Sequence, residues 1–213
     1  MMQNTDRGLR VKLIEAARRM NASGINQGKS GNVSVRVEGG FIVTPTGVPY
    51  EHLGVPDIVF MRQDGEREGN YPPSSEWRLH RDIYATHAEA GAIVHSHPPY
   101  ATTIACHRRS IPAFHYEVAF AGGRDIRCAE YATFGTQELS DRALEALAGR
   151  HACLMANHGI VALGTDLQDA FGMAEKVEAL ARMYWQALQM GEPKLLDDAE
   201  MDRVVERFKT YGR

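Results

Sequence analysis

The sequence lacks any run of apolar residues long enough to cross a membrane. A transmembrane helix needs roughly 20 consecutive apolar residues, and polar residues interrupt every apolar stretch of this 213-residue chain before that length. Residues 1–20 also lack the long apolar core of a secretory signal peptide. These absences predict a cytoplasmic protein that has no membrane partner.

Cysteine and excess positive charge are scarce as well. The three cysteines, Cys106, Cys128 and Cys153, form no CxxC pair, which argues against a disulfide framework and against a cysteine-type zinc site. Lysine and arginine number 24 against 27 aspartates and glutamates, and the net charge is -3. A nucleic-acid-binding domain usually carries a basic excess. We therefore expect no nucleic-acid partner, although a local pocket suffices for a small anion.

Helices and strands are interleaved along the whole chain. Helical apolar spacing predicts helices over residues 9–20, 76–87, 99–106, 137–148, 167–190 and 198–208. Alternating or short apolar runs predict strands over 33–37, 41–44, 58–61, 92–95, 116–120, 126–131, 152–156 and 160–163. Hairpin-like pairs among these strands favour an antiparallel or mixed sheet covered by helices, an α/β fold of the α+β type. Without a linker or repeat, the length fits one domain over residues 1–213.

Two histidines lie at the end of an apolar stretch with strand character, His95 and His97. Side chains two residues apart on a strand share a face, so both imidazoles can bind one ion. Imidazole favours zinc and other borderline transition metals, which makes zinc the expected cofactor, with Mn²⁺ or Co²⁺ as alternatives. The pair alone is a weak signal, because the chain has nine histidines in all.

A third histidine, His158, strengthens the prediction of a metal site. It lies between Asn157 and Gly159 at a break between two predicted strands, although on its own it reads as a turn residue. Three histidines that leave a coordination position open are typical of catalytic zinc. The remaining histidines have no partner at ligand spacing, and solvent or packing roles are expected for His52, His80, His87, His107, His115 and His151.

Glu76 follows Ser74 and Ser75 at the start of a predicted helix. A carboxylate there complements the helix dipole, which is a purely structural role. The same place also suits function, because hydroxyls and free N–H groups at a helix start bind phosphate and a glutamate beside them can act as general acid or base. The sequence alone leaves both interpretations open.

Residues 28–32, Gly-Lys-Ser-Gly-Asn, suggest a nucleotide-binding P-loop but do not match one. Only three residues separate Gly24 from Gly28 where the pattern needs four, and the segment follows a helix instead of a strand. A glycine-rich loop for a smaller anion remains plausible. A zinc isopeptidase site, which has a similar His-x-His-Pro motif, is excluded because Ala105 and Arg108 occupy the positions of its downstream serine and aspartate.

Taken in order, these segments resemble the class II aldolase and adducin-head family. The matching segments are 26–28, 30–34, 44–47, 73–76, 94–97 and 157–159, so the resemblance covers nearly the whole chain. Segments 110–116, 131–136 and 208–212 further resemble the members that cleave L-fuculose 1-phosphate. The resemblance implies a three-layer αβα domain with a mainly antiparallel central sheet. It also implies a homotetramer whose active sites lie between neighbouring subunits.

The resemblance also assigns roles to individual residues. It implies that zinc is held by His95, His97 and His158, with Glu76 as a further ligand and as the catalytic acid or base. The residues implied to hold the substrate phosphate are Gly31, Asn32, Thr46, Gly47, Ser74 and Ser75. Phe134 is implied to line the aldehyde end of the site. Tyr116 and Tyr211, for which residue patterns alone predict only packing, are implied to reach the site from an adjacent subunit.

The implied reaction is reversible cleavage of a ketose 1-phosphate to dihydroxyacetone phosphate and an aldehyde. Tyr116 or a water takes the hydroxyl proton of the departing aldehyde, Glu76 returns a proton to carbon, and the metal stabilises negative charge as a Lewis acid. Differences at residues 98–100, 156–157, Phe120 and Glu130 make 5-deoxyribulose 1-phosphate and 5-(methylthio)ribulose 1-phosphate rivals of L-fuculose 1-phosphate.

Three other functions remain open at this stage. An L-ribulose-5-phosphate 4-epimerase and a methylthioribulose-1-phosphate dehydratase belong to the same family, and both would use the same ligands. An adducin-like binding module is the non-enzymatic alternative. It is disfavoured because such a module has no need of the metal-binding residues, and this chain retains the three histidines and Glu76.

Overall fold

A computed structural model describes the backbone of residues 4–210 and the side chains of residues 7–210. Tyr211, which was predicted to reach the site, lies outside the described residues. The helices are α1 (Asn4–Ala22), α2 (Trp77–Thr86), α3 (Pro99–Cys106), α4 (Gln137–Leu147), α5 (Leu167–Leu188) and α6 (Asp198–Phe208). The strands are β1 (Asn32–Val37), β2 (Gly40–Val43), β3 (Val59–Arg62), β4 (Arg67–Glu68), β5 (Ala92–Ser96), β6 (Cys128–Ala129), β7 (Ala152–Met155) and β8 (Gly159–Gly164).

All eight strands form one sheet in the order β4-β3-β2-β1-β5-β8-β7-β6. Every neighbouring pair is antiparallel except β6 and β7, which are parallel. The prediction of a mainly antiparallel central sheet is therefore confirmed. Because β1, β5 and β8 are adjacent, elements far apart in the sequence end side by side in the middle of the sheet.

Helices cover both faces of this sheet and give the three layers that the resemblance implied. One face packs α1, α3 and α5 against residues such as Val33, Val94 and Ile160. The opposite face packs α2 and α4 against Phe41, Ile93 and Leu163. Since both faces are covered, β5 is buried at every position. This explains why its sequence reads as a continuous apolar run and not as an alternating one.

The strand predicted over residues 116–120 is wrong, because residues Tyr116–Ala121 form a 3-10 helix. The His115 side chain accepts a hydrogen bond from the backbone N–H of Glu117 and so caps the first turn, and Gly122 ends the helix at a φ of 95°. A short apolar run does not distinguish a strand from a helical turn by periodicity alone.

The strand predicted over residues 126–131 is also too long. Only Cys128 and Ala129 pair with β7, and Ile126 instead makes an isolated bridge with Ile111. The chain therefore leaves the sheet after Ala129, and residues 131–134 are free to line the site described below. Across residues 4–210, each helix falls short of the length or apolar character that a membrane crossing requires.

Candidate active site

Three histidines converge at the end of β5. His95 lies in β5 and is fully buried, His97 follows the strand by one residue, and His158 lies in the turn between β7 and β8. Their potential ligand nitrogens all lie within 4.8 Å of one another. The sheet order produces this cluster, because β8 pairs directly with β5 and so places the turn before it beside His97. The predicted convergence of the three side chains is therefore present.

The backbone around the cluster depends on two glycines and one asparagine. Asn157 adopts the left-handed conformation, with φ at 54°, which asparagine tolerates better than most residues. A Cβ atom on Gly159 would lie 2.5 Å from the carbonyl oxygen of Ser96 and 2.6 Å from Cδ2 of His97. A Cβ atom on Gly31 would lie 2.6 Å from the His95 carbonyl oxygen. Glycine at both positions thus permits the close approach of backbone to His95 and His97.

The orientation of His95 directs its Nε2 atom into the cluster. Its Nδ1 atom lies 2.8 Å from the carbonyl oxygen of Ile160 and therefore donates, since a carbonyl only accepts. This leaves Nε2 as the atom available to an ion, at 3.0 Å from Nε2 of His97. Two nitrogens bound to one tetrahedral zinc at about 2.0–2.1 Å lie roughly 3.3 Å apart. The spacing of the two rings fits a shared ion of this size.

Glu76 lies against the histidines as the residue that precedes α2, and it is only 3% exposed. Its Oε2 atom is 3.0 Å from Nε2 of His95, and its Oε1 atom is 3.2 Å from Nε2 of His158. Oε1 is nevertheless buried without a hydrogen-bond partner. A buried carboxylate oxygen costs free energy unless it is paired. The donor set of three imidazoles and this oxygen fits a borderline divalent cation.

Charges within the cluster shift the pKa values of its members. Burial opposes ionisation of Glu76, but the positive charges of His95 and His158 close to its two oxygens outweigh burial and hold its pKa well below the usual range. Burial also opposes charge on His95, yet the Glu76 carboxylate raises the pKa of His95. Burial and the charges of His95 and His158 lower the pKa of His97 to about 3. His97 therefore offers a neutral imidazole, which is the form that binds metal.

A cavity of about 360 Å³ opens onto the cluster and is bordered by Glu76, His97 and His158. This volume lies within the range of about 300–1,000 Å³ found for small-molecule sites. One wall is polar and contains Lys29, Ser30 and Ser75. The other wall contains Tyr131, Ala132 and Phe134, and the two aromatic side chains are 51% and 67% exposed. The cavity thus presents hydrophilic and apolar surfaces to a single ligand.

Three loops meet at the polar wall. The Lys29 ammonium donates to the carbonyl oxygen of Gly47 at 3.0 Å. The backbone N–H of Thr46 donates to the carbonyl oxygen of Pro72 at 3.2 Å, and Ser74 Oγ accepts from the backbone N–H of Glu76 at 3.2 Å. Of the residues predicted to hold phosphate, Ser75 lines the cavity and Ser74 precedes it, whereas Thr46 and Gly47 do not line the cavity and lie in a loop that contacts Lys29 and Pro72.

Two predicted site residues lie elsewhere within the subunit. The Asn32 side chain is buried and donates through Nδ2 to Oε2 of Glu76 at 2.9 Å, so it contacts the carboxylate and not the open cavity. Tyr116 is 48% exposed and lies outside the cavity, with its ring stacked on that of Phe208.

Sequence reasoning missed several residues of the site. Lys29, Ser30, Tyr131, Ala132 and Asn157 line the cavity, but Lys29 and Ser30 were named only within a possible anion-binding loop, and the other three only within segments of the family resemblance. His80 was expected in solvent or in packing, and it is fully buried, but its hydrogen bonds to Asn32 and Ser34 were not predicted. A signal for His80 was present, because it lies one helical turn after Glu76 and so shares its face of α2.

The chain is similar to known proteins over almost its whole length. Residues 11–185 match the family model of the class II aldolase and adducin N-terminal domain. The 5-methylthioribulose-1-phosphate/5-deoxyribulose-1-phosphate aldolase of Rhodospirillum rubrum is 52% identical over 204 residues, covering 96% of this chain and 92% of that protein. The L-fuculose phosphate aldolase of Escherichia coli strain K12 is 45% identical, covering 94% of each chain. A solved structure of L-fuculose 1-phosphate aldolase superposes with a TM-score of 0.92 at 40% identity, covering 98% of each chain.

Proposed function

Because the chain belongs to the class II aldolase and adducin N-terminal domain family and is an aldolase, we propose that it cleaves a ketose 1-phosphate reversibly to dihydroxyacetone phosphate and an aldehyde, with zinc held by His95, His97 and His158. The observation that carries the proposal is the convergence of these three imidazoles and the buried Glu76 carboxylate on one cavity. An adducin-like binding module, the non-enzymatic alternative, is excluded because the chain is an enzyme.

The proposed substrates are 5-deoxyribulose 1-phosphate and its 5-methylthio analogue, in preference to L-fuculose 1-phosphate. Cleavage of L-fuculose 1-phosphate releases lactaldehyde, which carries a hydroxyl group on the carbon next to the carbonyl, whereas the aldehydes released from the other two sugars carry no hydroxyl group. Tyr131, Ala132 and Phe134 form an apolar wall, and burying apolar atoms there is favourable by about 0.8 kcal/mol per CH₂ group. The relative named for the two deoxy-type substrates is 52% identical to this chain, against 45% for the E. coli L-fuculose phosphate aldolase.

In this proposal different residues of the chain bind the phosphate and transfer the proton. The Lys29 ammonium and the hydroxyls of Ser30 and Ser75 bind the phosphate at the polar wall. A bound divalent cation supplies Lewis-acid stabilisation of the negative charge that develops on substrate oxygens. In the direction of aldol addition, Oε1 of Glu76 accepts a proton from C3 of dihydroxyacetone phosphate, the carbon that bears the free hydroxyl group. In the direction of cleavage, Glu76 returns that proton to C3. Asn32 holds Oε2 of the same carboxylate, so Oε1 remains free for this transfer.

Tyr116 acts from a neighbouring subunit of a homotetramer in this proposal. Within its own subunit Tyr116 lies outside the cavity and is 48% exposed. It packs on an aromatic group with the half-buried Phe120 and Phe208, whose rings stack at 4.1 Å. Such a group suits burial between subunits, where the phenol can donate a proton to the aldehyde oxygen. Tyr211, three residues after Phe208 in the sequence, has the same proposed role.

Mixing two defective chains tests this arrangement. Glu76→Gln and Tyr116→Phe are each expected to cleave substrate poorly as pure assemblies. When the two chains are dissociated and reassembled together, cleavage should return, because some sites then combine Glu76 from one chain with Tyr116 from another. Dihydroxyacetone phosphate release is measured before and after mixing. If reassembled mixtures remain as inactive as the pure variants, Tyr116 does not act across subunits.

A substrate panel tests the proposed function. Purified enzyme is incubated with 5-deoxyribulose 1-phosphate, 5-(methylthio)ribulose 1-phosphate and L-fuculose 1-phosphate, with and without added zinc. We expect dihydroxyacetone phosphate and aldehyde in equal amounts, with a higher kcat/KM for the two deoxy-type sugars. Treatment with a chelator should stop cleavage, and added zinc should restore it. Full activity after complete metal removal contradicts the proposal.

The same panel distinguishes the two other enzymes of the family. L-ribulose 5-phosphate is included as a fourth substrate. Its conversion to an epimer without release of a free aldehyde would identify a 4-epimerase. Loss of water from 5-(methylthio)ribulose 1-phosphate with the carbon chain intact would identify a dehydratase. Either result, without release of dihydroxyacetone phosphate, would show that the enzyme catalyses that reaction and not the proposed cleavage.

A further inference from the structure

A buried row of polar side chains leads away from Glu76 between α2 and β1. Glu76, His80 and Tyr84 are spaced four residues apart, so they lie on one face of the helix. Asn32 and Ser34 are two residues apart on the facing strand, and their side chains point to the same face of the sheet. Asn32, Ser34 and His80 are at most 3% exposed, and Tyr84 is 2% exposed. Beyond Asn32 the row consists of Ser34, His80 and Tyr84, which do not line the cavity and have no part in the reaction described above.

Hydrogen bonds join these side chains into one continuous chain. Nδ2 of Asn32 donates to Oε2 of Glu76 at 2.9 Å. Oδ1 of Asn32 contacts Nε2 of His80, and because an amide oxygen only accepts, Nε2 must carry a proton.

Beyond His80 the direction of donation is equally determined. Nδ1 of His80 lies 2.6 Å from Oγ of Ser34, and in a neutral imidazole this nitrogen accepts the hydroxyl proton. The Ser34 hydroxyl donates its one proton to His80, so it accepts a hydrogen bond from the phenol of Tyr84 at 2.8 Å. Every donor in the row therefore points toward Glu76.

The surroundings keep this arrangement in a single protonation state. Burial, followed by the positive charge of His95, lowers the pKa of His80 to about 3, so the imidazole stays neutral at physiological pH. Burial also raises the pKa of Tyr84 above its usual value, which keeps the phenol protonated. Aligned donors polarise one another and strengthen the terminal bond to the carboxylate.

We propose that His80 is a positioning residue of the active site, which fixes the Asn32 amide so that it donates to Oε2 of Glu76 and leaves Oε1 as the proton-transferring oxygen. The inference rests on the proposed function, because it assumes that Glu76 moves the proton at carbon. Without the N–H of His80, the Asn32 amide loses the partner that defines which end faces Glu76. A flipped amide would place its oxygen against the carboxylate and displace it.

Two substitutions of His80 separate positioning from packing. His80→Phe keeps a planar ring beside Phe41, on which His80 is stacked, but removes both ring nitrogens. We expect kcat to fall about 10–100-fold, the usual effect of removing a group that supports a functional side chain, with KM and bound metal unchanged. His80→Gln retains an N–H group for Asn32 and should recover most of the lost kcat. His87→Gln, which alters a histidine after α2 whose ring contacts Glu89, is the control and should leave kcat unchanged.

A spectroscopic measurement on the unaltered protein adds a second readout. Two-bond ¹H–¹⁵N correlation spectra of ¹⁵N-histidine-labelled protein, assigned with the His80→Gln variant, report the tautomer of His80. We expect the neutral ring with its proton on Nε2. A charged ring, or a neutral ring with its proton on Nδ1, overturns the inference, because Nε2 could not then be a lone donor to Asn32. This result holds whether or not His80→Phe folds.

The outcomes distinguish the inference from the function on which it rests. If the unaltered enzyme cleaves none of the ketose 1-phosphates, the proposed function fails, whatever the tautomer of His80. If the enzyme cleaves them and folded His80→Phe has the same kcat, only the positioning role fails. A loss of kcat in His80→Phe that His80→Gln does not restore also contradicts the role assigned to Nε2.

Discussion

Replacing His97 by alanine is expected to release the metal and to reduce kcat for ketose 1-phosphate cleavage at least about a thousandfold. The Lewis acid contributes several kcal/mol of charge stabilisation, and each 1.4 kcal/mol corresponds to about tenfold in rate. His97 is a better choice than His95, because Nδ1 of His95 also holds the Ile160 carbonyl oxygen. Metal content by atomic spectrometry and dihydroxyacetone phosphate release are measured on the same folded sample.

His52→Ala is the matched control for this substitution. His52 is an exposed histidine outside the cluster, so the variant should retain both its metal and its activity. The thermal unfolding midpoint is recorded for both variants in the presence of chelator, which separates the loss of the ligand from general destabilisation. A His97→Ala protein that keeps the unaltered metal content and kcat would show that His97 is not a ligand.

Replacing Glu76 by glutamine is expected to lower kcat by about 10²–10⁴-fold, the usual contribution of a general acid or base. Glutamine preserves the shape of the side chain but offers no group that exchanges a proton near neutral pH. The three histidines remain, so bound metal and KM should change much less than kcat. This pattern identifies an interaction made in the transition state and not in substrate binding.

Isotope exchange tests the role of Glu76 more narrowly than the overall rate. Exchange of a C3 proton of dihydroxyacetone phosphate with solvent deuterium, in the absence of aldehyde, should be nearly abolished in Glu76→Gln. Glu38→Gln, which alters an exposed glutamate in the turn between β1 and β2, is the control and should exchange at the unaltered rate. Rapid exchange in a Glu76→Gln protein with full metal content would assign the proton transfer to another group.

The histidine cluster was accessible from the sequence because it depends on local patterns. Period-two spacing placed His95 and His97 on one strand face, and the Asn157-His158-Gly159 break placed His158 at the end of a strand. What local patterns do not contain is the order of strands in the sheet. The family resemblance implied that the three histidines share one ion, but the pairing of β5 with β8, which brings His158 beside the other two, came from the structure.

Contacts between elements account for most of what the sequence did not reveal. The family resemblance implied that Asn32 holds phosphate. In the structure Asn32 pairs with His95 across the sheet, and its side-chain amide contacts Glu76. The apolar wall at Tyr131 and Ala132 follows from the short extent of β6, and residues beyond that strand have no periodic pattern to indicate where they lie. The 3-10 helix at residues 116–121 was predicted as a strand because its apolar run is too short to show a helical period.

The central claim is that cleavage requires one ion held by three histidines and used together with Glu76. Its most direct test is a titration of chelator-treated, unaltered enzyme with zinc, in which bound metal and the rate of 5-deoxyribulose 1-phosphate cleavage are measured in the same samples. The rate should rise in proportion to bound zinc and level off when each chain holds a single ion. Full cleavage in samples that contain no bound metal would contradict the account.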